Sequence, residues 1–235
     1  KQEDSSFEMY VMVGAWINCK DAWTDHPDHT QGDEAYNEAE VQRAVQYAKQ
    51  YPDIIKMIAV GNEAMVHWAT SYFVPPSVIL KWVNYLQELK SKGDLPSDLW
   101  ITSSDDFASW GGASDNYHTE DLNRLIAAVD FISMHTYAFH NSHYNPDYWH
   151  NRDPSLSEIE QIDAAMQRAG EFAAGQYNDV KQYMLSLGID KPIHIGETGW
   201  ATVSNGYYGA AGSQAADEYK AKKYYDYLRK WSNEN

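Results

Sequence analysis

Five short apolar runs, each followed by a stretch of helical spacing, constrain this chain more than any other feature. Tyr10 to Ile17 (YVMVGAWI), Ile54 to Val60, Leu99 to Ser103, Phe131 to Tyr137 and Pro192 to Gly196 read as strands, the first two as continuous runs buried on both faces. Between and after them, Glu34–Gln50, Pro75–Lys90, Thr119–Val129, the stretch from Ser155 to about Leu187, and Ser213–Trp231 read as helices. The first of these shares Val41, Ala44, Val45 and Ala48 on one face; the second carries Val78, Ile79, Trp82, Val83, Leu86 and Leu89. Ser155 with Glu158 forms a capping-box pattern, and Gly188 suits a helix stop. Asp21 to Gly32 and Gly61 to Val74 read as loops. The order βαβαβαβαβα argues a parallel α/β sheet with right-handed crossovers. No linker, low-complexity tract or repeat divides the 235 residues, so a single domain is expected over 1–235. A nucleotide-binding sheet places a glycine-rich turn after its first strand. Here Gly61 stands alone and Gly14 lies inside a strand, which favours a (β/α)8-type TIM barrel.

Charge and composition remove several functions. The formal net charge is −16, from 18 basic and 34 acidic residues, a field that repels phosphates and anionic lipid. Neither nucleic-acid binding nor membrane insertion is expected, since no apolar run approaches the roughly 20 residues of a membrane span. A lone Cys19 excludes an internal disulfide framework and a cysteine-rich zinc site. Aromatic residues make up 14%, with 18 Tyr and 9 Trp. Their flat apolar faces and polar tips suit sugar rings, though they also fill cores.

Two strands end in a carboxylate. One reads Ala59-Val60-Gly61-Asn62-Glu63, the other His194-Ile195-Gly196-Glu197-Thr198-Gly199-Trp200. In a parallel α/β barrel the carboxyl ends of strands converge on the active-site mouth. Two Glu facing each other there suit glycoside hydrolysis, which needs one protonated carboxyl to donate to the leaving oxygen and one ionised carboxyl to attack or to activate water. Like charges held close resist joint ionisation, which separates the two roles. Asn62 suits a hydrogen bond to a sugar hydroxyl. The competing reading of each Glu alone is an ordinary ion pair.

Val60-Gly61-Asn62-Glu63 and Gly196-Glu197-Thr198-Gly199-Trp200 resemble the two signatures of glycoside hydrolase family 17, the β-1,3-glucanases. Met134-His135-Thr136-Tyr137 resembles that family's sixth strand, which carries a tyrosine beside the nucleophile. The resemblance implies Glu63 as general acid/base, Glu197 as nucleophile of a retaining double displacement, Tyr137 orienting Glu197, and Trp200 lining a sugar subsite. It implies endo cleavage of a β-1,3-glucan such as laminarin, with no cofactor and no metal. A glucanosyltransferase on the same site and a non-catalytic glucan-binding protein are the alternatives. A polysaccharide is too large to enter a cell, so a secreted, surface or periplasmic location is expected. The chain departs from the family at Ala201, where proline is common, and in its strand number. Matched by motif, the Tyr10 run is the third strand, the Ile54 run the fourth and the Pro192 run the seventh. The first two strands, with the family's second-strand arginine, and the eighth have no counterpart. A closed barrel needs about eight strands, and an open remnant exposes sheet edges. The expectation is that these residues belong to a longer polypeptide or that a second chain supplies the missing strands.

Other candidates follow from position. His135 faces the mouth, as a sugar contact, or the core. Asp105 and Asp106 hold substrate hydroxyls or cap their loop. Trp16, Trp68, Trp110 and Trp149 are candidate stacking platforms, whereas Trp82 and Trp231 lie on helix faces and suit the core. His140, His143 and His150, with Tyr144, Tyr148 and Trp149, read as a polar cleft wall. His26 and His29, flanked by Asp25 and Asp28, lie in a loop without the fixed spacing a metal site needs.

Overall fold

Each strand is returned by a helix, and the pairing follows chain order. The computed structural model describes residues 6–140, 153–203 and 216–235. Strand β1 (Val11–Ala15) leads into a short antiparallel ribbon, β2 (Cys19–Lys20) with β3 (Asp28–Gly32), and then helix α1 (Glu34–Gln50). There follow β4 (Ile55–Asn62), α2 (Pro76–Ser91), β5 (Trp100–Asp106), a π-type turn at Ala108–Gly112, a 3-10 turn at Asp115–Tyr117, and α3 (Glu120–Ala128). The described elements continue as β6 (Ile132–His135), α4 (Glu158–Ser186), β7 (Ile193–Glu197) and α5 (Glu218–Glu234). The main sheet has the order β1-β4-β5-β6-β7, with β1 parallel to β4 and β4 parallel to β5.

The helices form where their apolar stripes are expected. Val41, Ala44, Val45 and Ala48 of α1 are buried, as are Val78, Ile79, Trp82, Val83 and Leu86 of α2 and Leu122, Leu125 and Ile126 of α3. Asp33, Thr119 and Asp217 cap their helices by accepting the N–H of Tyr36, Leu122 and Lys220. The α4 cap lies two residues beyond the expected one. Glu160 accepts from the backbone N–H of Ser157 at 2.8 Å, while Ser155 turns back onto Asp153. Gly188, at φ +73, takes the left-handed position after α4 that a Cβ would penalise.

Among the described residues the five expected strands form an open sheet, in which no pairing joins β1 to β7. Two expectations are corrected. As an edge strand, β1 is covered unevenly, and Met12 is 38% exposed rather than buried on both faces. The Asp21–Gly32 stretch contains β3, which pairs with β2 just before it in a ribbon whose strands are too short and polar to show a period-2 pattern.

Contacts divide the chain into two compact units, Lys1–Met134 with Asp179–Gly196, and His135–Asn178 with Glu197–Asn235. No linker marks them because the boundaries fall inside β6, α4 and β7. The first unit holds most of the sheet with α1, α2 and α3. The second has its own core of Ala138, Met166, Ala169, Ala173 and Tyr224, against which Ile162, Trp200 and Leu228 pack. Gly170 permits this packing, since a Cβ there would meet the Tyr227 ring at 2.1 Å. Among the described residues no helix is long and apolar enough to cross a membrane.

One carboxylate ties three elements of the first unit. Asp130 Oδ2 accepts from the Ile101 N–H and from Lys90 Nζ, each at 2.8 Å, while the Asp130 N–H donates to the Ile101 carbonyl at 2.8 Å. Removing such an acceptor strands a buried donor and a partly buried ammonium. Asp130→Ala is expected to lower the unfolding free energy in urea by about 2 kcal/mol, with a smaller loss for Asp130→Asn.

Candidate active site

In the first unit the chain turns sharply at the end of β4 to present Glu63. Ala59 pairs with Thr102 but Asn62 pairs with Ser104, so β4 spends one residue more than β5 over this span. Such a bulge re-aims the residues that follow it. Gly61 sits in it at φ +84, where a Cβ would come within 2.9 Å of the Ala64 Cβ and 3.1 Å of Ile79 Cδ1. Glu63 itself has φ +47, a left-handed conformation that costs an L-residue about 1 kcal/mol. Its N–H donates to the Ser104 carbonyl at 2.9 Å, which holds the turn. Asn62 and Glu63 are half-buried, and Ala64, Met65 and Val66 are buried.

Asp105 secures the next residues. It is fully buried, and its carboxylate accepts the N–H of Met65 at 2.8 Å and of Asp106 at 2.9 Å. Burial pushes its carboxyl up to about 7, against the downward pull of those donors. Asp105 therefore anchors the loop rather than meeting substrate hydroxyls, because no face of it reaches solvent. Asp106 caps the following turn by accepting the Ala108 N–H at 2.9 Å. The loop after Glu63 folds back on itself, with the Val74 N–H donating to the Ala64 carbonyl at 2.7 Å. Tyr72 lies on this loop. Burial, together with the Glu63 and Asp105 carboxylates, pushes its phenol up to about 12.

In the second unit Glu197 is the last residue of β7. Its backbone carbonyl accepts the Thr136 N–H at 3.0 Å, which fixes Tyr137 beside it. The Tyr137 hydroxyl donates to Glu197 Oε2 at 3.0 Å, and His135 Nδ1 lies 3.6 Å from the same oxygen. Thr136 in turn bonds Gln176, and Thr198 pairs with the Tyr224 hydroxyl at 2.8 Å. Trp200 packs edge-on to Phe139 and tilted against Tyr224, both at 5.2 Å between ring centroids. Its ring is half-buried, so it meets solvent on part of its surface only.

Several sequence candidates find other roles. Trp110 is wholly buried and donates its Nε1–H to the Ser133 carbonyl at 3.0 Å, so it is a core residue and no stacking platform. His135 is also fully buried, which leaves it beside Glu197 and removes it as a sugar contact. Trp68 is 62% exposed and keeps a face for a ligand. Trp16 is half-buried, with Nε1–H donating to Asn18 Oδ1. Trp82 is in the core as expected, and Trp231 meets Tyr177 edge-on. His29 stacks on Phe73 and contacts its carbonyl, while Asp28 accepts from Thr30 and Gln31. His140 stacks on Tyr137; His143, Tyr144, Tyr148, Trp149 and His150 lie outside the described residues. Tyr72 escaped sequence reasoning, because only the loop's return brings it toward Glu63.

A solved structure, an endo-laminarinase from Formosa Hel1_33_131, matches the whole chain with 60% identity and a TM-score of 0.95. The present chain spans 60% of the length of that one. No protein-family model matches the chain, and no curated protein does.

The raised carboxyl of Asp105 makes a pH prediction. Between about pH 4 and pH 7 the folded protein keeps the Asp105 proton and the unfolded chain does not. Stability from this group is therefore greatest below pH 4 and falls as pH rises, by on the order of 4 kcal/mol in total. The difference in unfolding free energy between the parent and Asp105→Asn should swing in favour of the parent as pH drops from 7.5 to 5 (roughly the upper part of that window), read from urea melts at each pH.

Proposed function

We propose that this protein is a retaining endo-β-1,3-glucan hydrolase of the family 17 type, with Glu63 as general acid/base and Glu197 as nucleophile. The observation that carries the reading is the position of the two carboxylates. Each stands at the carboxyl end of a strand of one mostly parallel sheet, in a chain that matches an endo-laminarinase along its whole length. The five strands would be the middle part of a (β/α)8 barrel. A polymeric substrate would place the protein outside the cell or at its surface.

The chemistry follows from what each carboxylate is bonded to. The Tyr137 hydroxyl occupies Glu197 Oε2, which leaves Oε1 to attack the anomeric carbon. As that bond forms, Glu63 gives its proton to the departing glycosidic oxygen. The glycosyl–Glu197 ester is then opened by a water whose proton returns to Glu63, and the anomeric configuration is retained. The Tyr137 bond fixes the plane of the Glu197 carboxyl group, so the aim of the nucleophile is set before substrate arrives. Asn62, adjacent to the acid, and the exposed Trp68 ring would contact the sugar.

The test is product analysis of laminarin treated with the parent and with Glu197→Gln. Short oligosaccharides from the parent alone support the reading. Products longer than the substrate would mark transfer to sugar acceptors, and binding without turnover in the parent would mark a glucan-binding protein. Glu63→Ala should lose about 10²–10⁴-fold on laminarin yet still glycosylate from an activated aryl glycoside, whose leaving group needs no proton. Tyr137→Phe should lower kcat by about 10–100-fold, the worth of one hydrogen bond to a charged group.

A further inference from the structure

Trp23 stands apart in the first unit. It lies between β2 and β3, 62% exposed, with φ +64. A bulky L-residue in the left-handed region is an outlier, and it persists only where its surroundings fix it. An indole turned to water gains too little from burial to explain that conformation. The surroundings do fix it. The Trp23 N–H donates to the Ser71 carbonyl at 2.9 Å and the Cys19 N–H to the Tyr72 carbonyl at 3.0 Å, which stitches the ribbon to the loop that begins at Glu63.

The side chain is held as firmly. Trp23 stacks on Tyr72 with centroids 5.0 Å apart and planes at 27°, and Tyr72 meets Trp16 at 5.3 Å. Trp16 is fixed through Nε1 by Asn18, at 2.8 Å. The three rings form a row running from the half-buried Trp16 to the exposed Trp23, with Tyr72 between them on the Glu63 loop. Pre-ordering of this kind lowers the entropy lost when a ligand binds.

We propose that Trp23 is a stacking platform for a sugar ring of the glucan chain, at a subsite beyond the acid/base Glu63, with Tyr72 and Trp16 as positioning residues. The inference rests on the functional reading above. A single indole on a polar ribbon offers the area of one ring, not the contiguous apolar patch of a protein interface. The ribbon also carries Asp21, Asp25 and Asp28, which repel anions and leave a neutral ligand unopposed. A glucose ring presents an apolar C–H face to the indole and its hydroxyls to the acidic rim.

The test compares Trp23→Gly and Trp23→Phe, each in the Glu197→Gln protein for binding and in the active protein for turnover. Titration with laminarihexaose should show about tenfold weaker binding for Trp23→Gly and near-parent binding for Trp23→Phe. Turnover of a short aryl laminaribioside should be unchanged. The thermal midpoint of Trp23→Gly should hold or rise, because glycine takes a positive φ without penalty. Equal affinity for laminarihexaose in the parent and Trp23→Gly overturns the platform alone. A fall in the thermal midpoint together with loss of short-substrate turnover also overturns it, by making Trp23 a structural residue. If the Glu197→Gln protein binds no β-1,3-glucan, the functional reading falls and the platform with it.

Discussion

The hydrogen bond from the Glu63 N–H to the Ser104 carbonyl closes the bulge at the end of β4, and the first half of the candidate site depends on it. Without the bulge, strand alternation would send Glu63 to the face opposite Asn62 and continue the ladder. With it, the chain leaves the sheet at once, in a left-handed conformation that costs about 1 kcal/mol. The bond from the Met65 N–H to Asp105 contributes about 0.5–1.5 kcal/mol, which offsets that strain. Gly61 makes the turn sterically possible, and Asp105 keeps it in one conformation.

Glu197 is positioned by a different device. Among the described residues of this half, none other than glycine takes a positive φ. The pairing of Thr136 with Glu197 sets Tyr137 and His135 on either side of one carboxylate oxygen, and the backbone register does the aiming. The rigidity of this half comes from the layer behind it, where Thr136 bonds Gln176 and Thr198 bonds the buried Tyr224. The acid/base candidate thus stands on local backbone geometry, while the nucleophile candidate stands on side-chain packing around a strand end. A substitution in the α4 and α5 core would be felt at Glu197, and one in β5 at Glu63.

Much of this was legible in the residues. The α1, α2 and α3 stripes repeat at helical spacing because burial on one side selects for it, and the helices form over nearly the expected ranges. The Asn62-Glu63 and Gly196-Glu197 strand ends were visible because small residues beside a carboxylate break an apolar run. The role of Tyr137 came from resemblance, and its bond to Glu197 is now seen directly. Trp110 lies in the core, and Asp105 and His135 take the buried one of their two readings, because position near a strand end does not reveal whether a side chain turns outward or under the loop. Trp23 and Tyr72 were not singled out, since their stacking joins segments about fifty residues apart.

The sequence by itself determined the alternation of strands and helices, the two carboxylates and the aromatic supply, because these depend on local propensity and on hydrophobic period. Tertiary structure alone decided that Asp105 is a buried clasp with a raised carboxyl, and that three aromatic rings stand in a row beside the Glu63 loop. The reason is that burial and pairing are set by which distant segments meet. A carboxylate has the same identity in water or beneath a loop, but only the packing around it fixes its charge and its work.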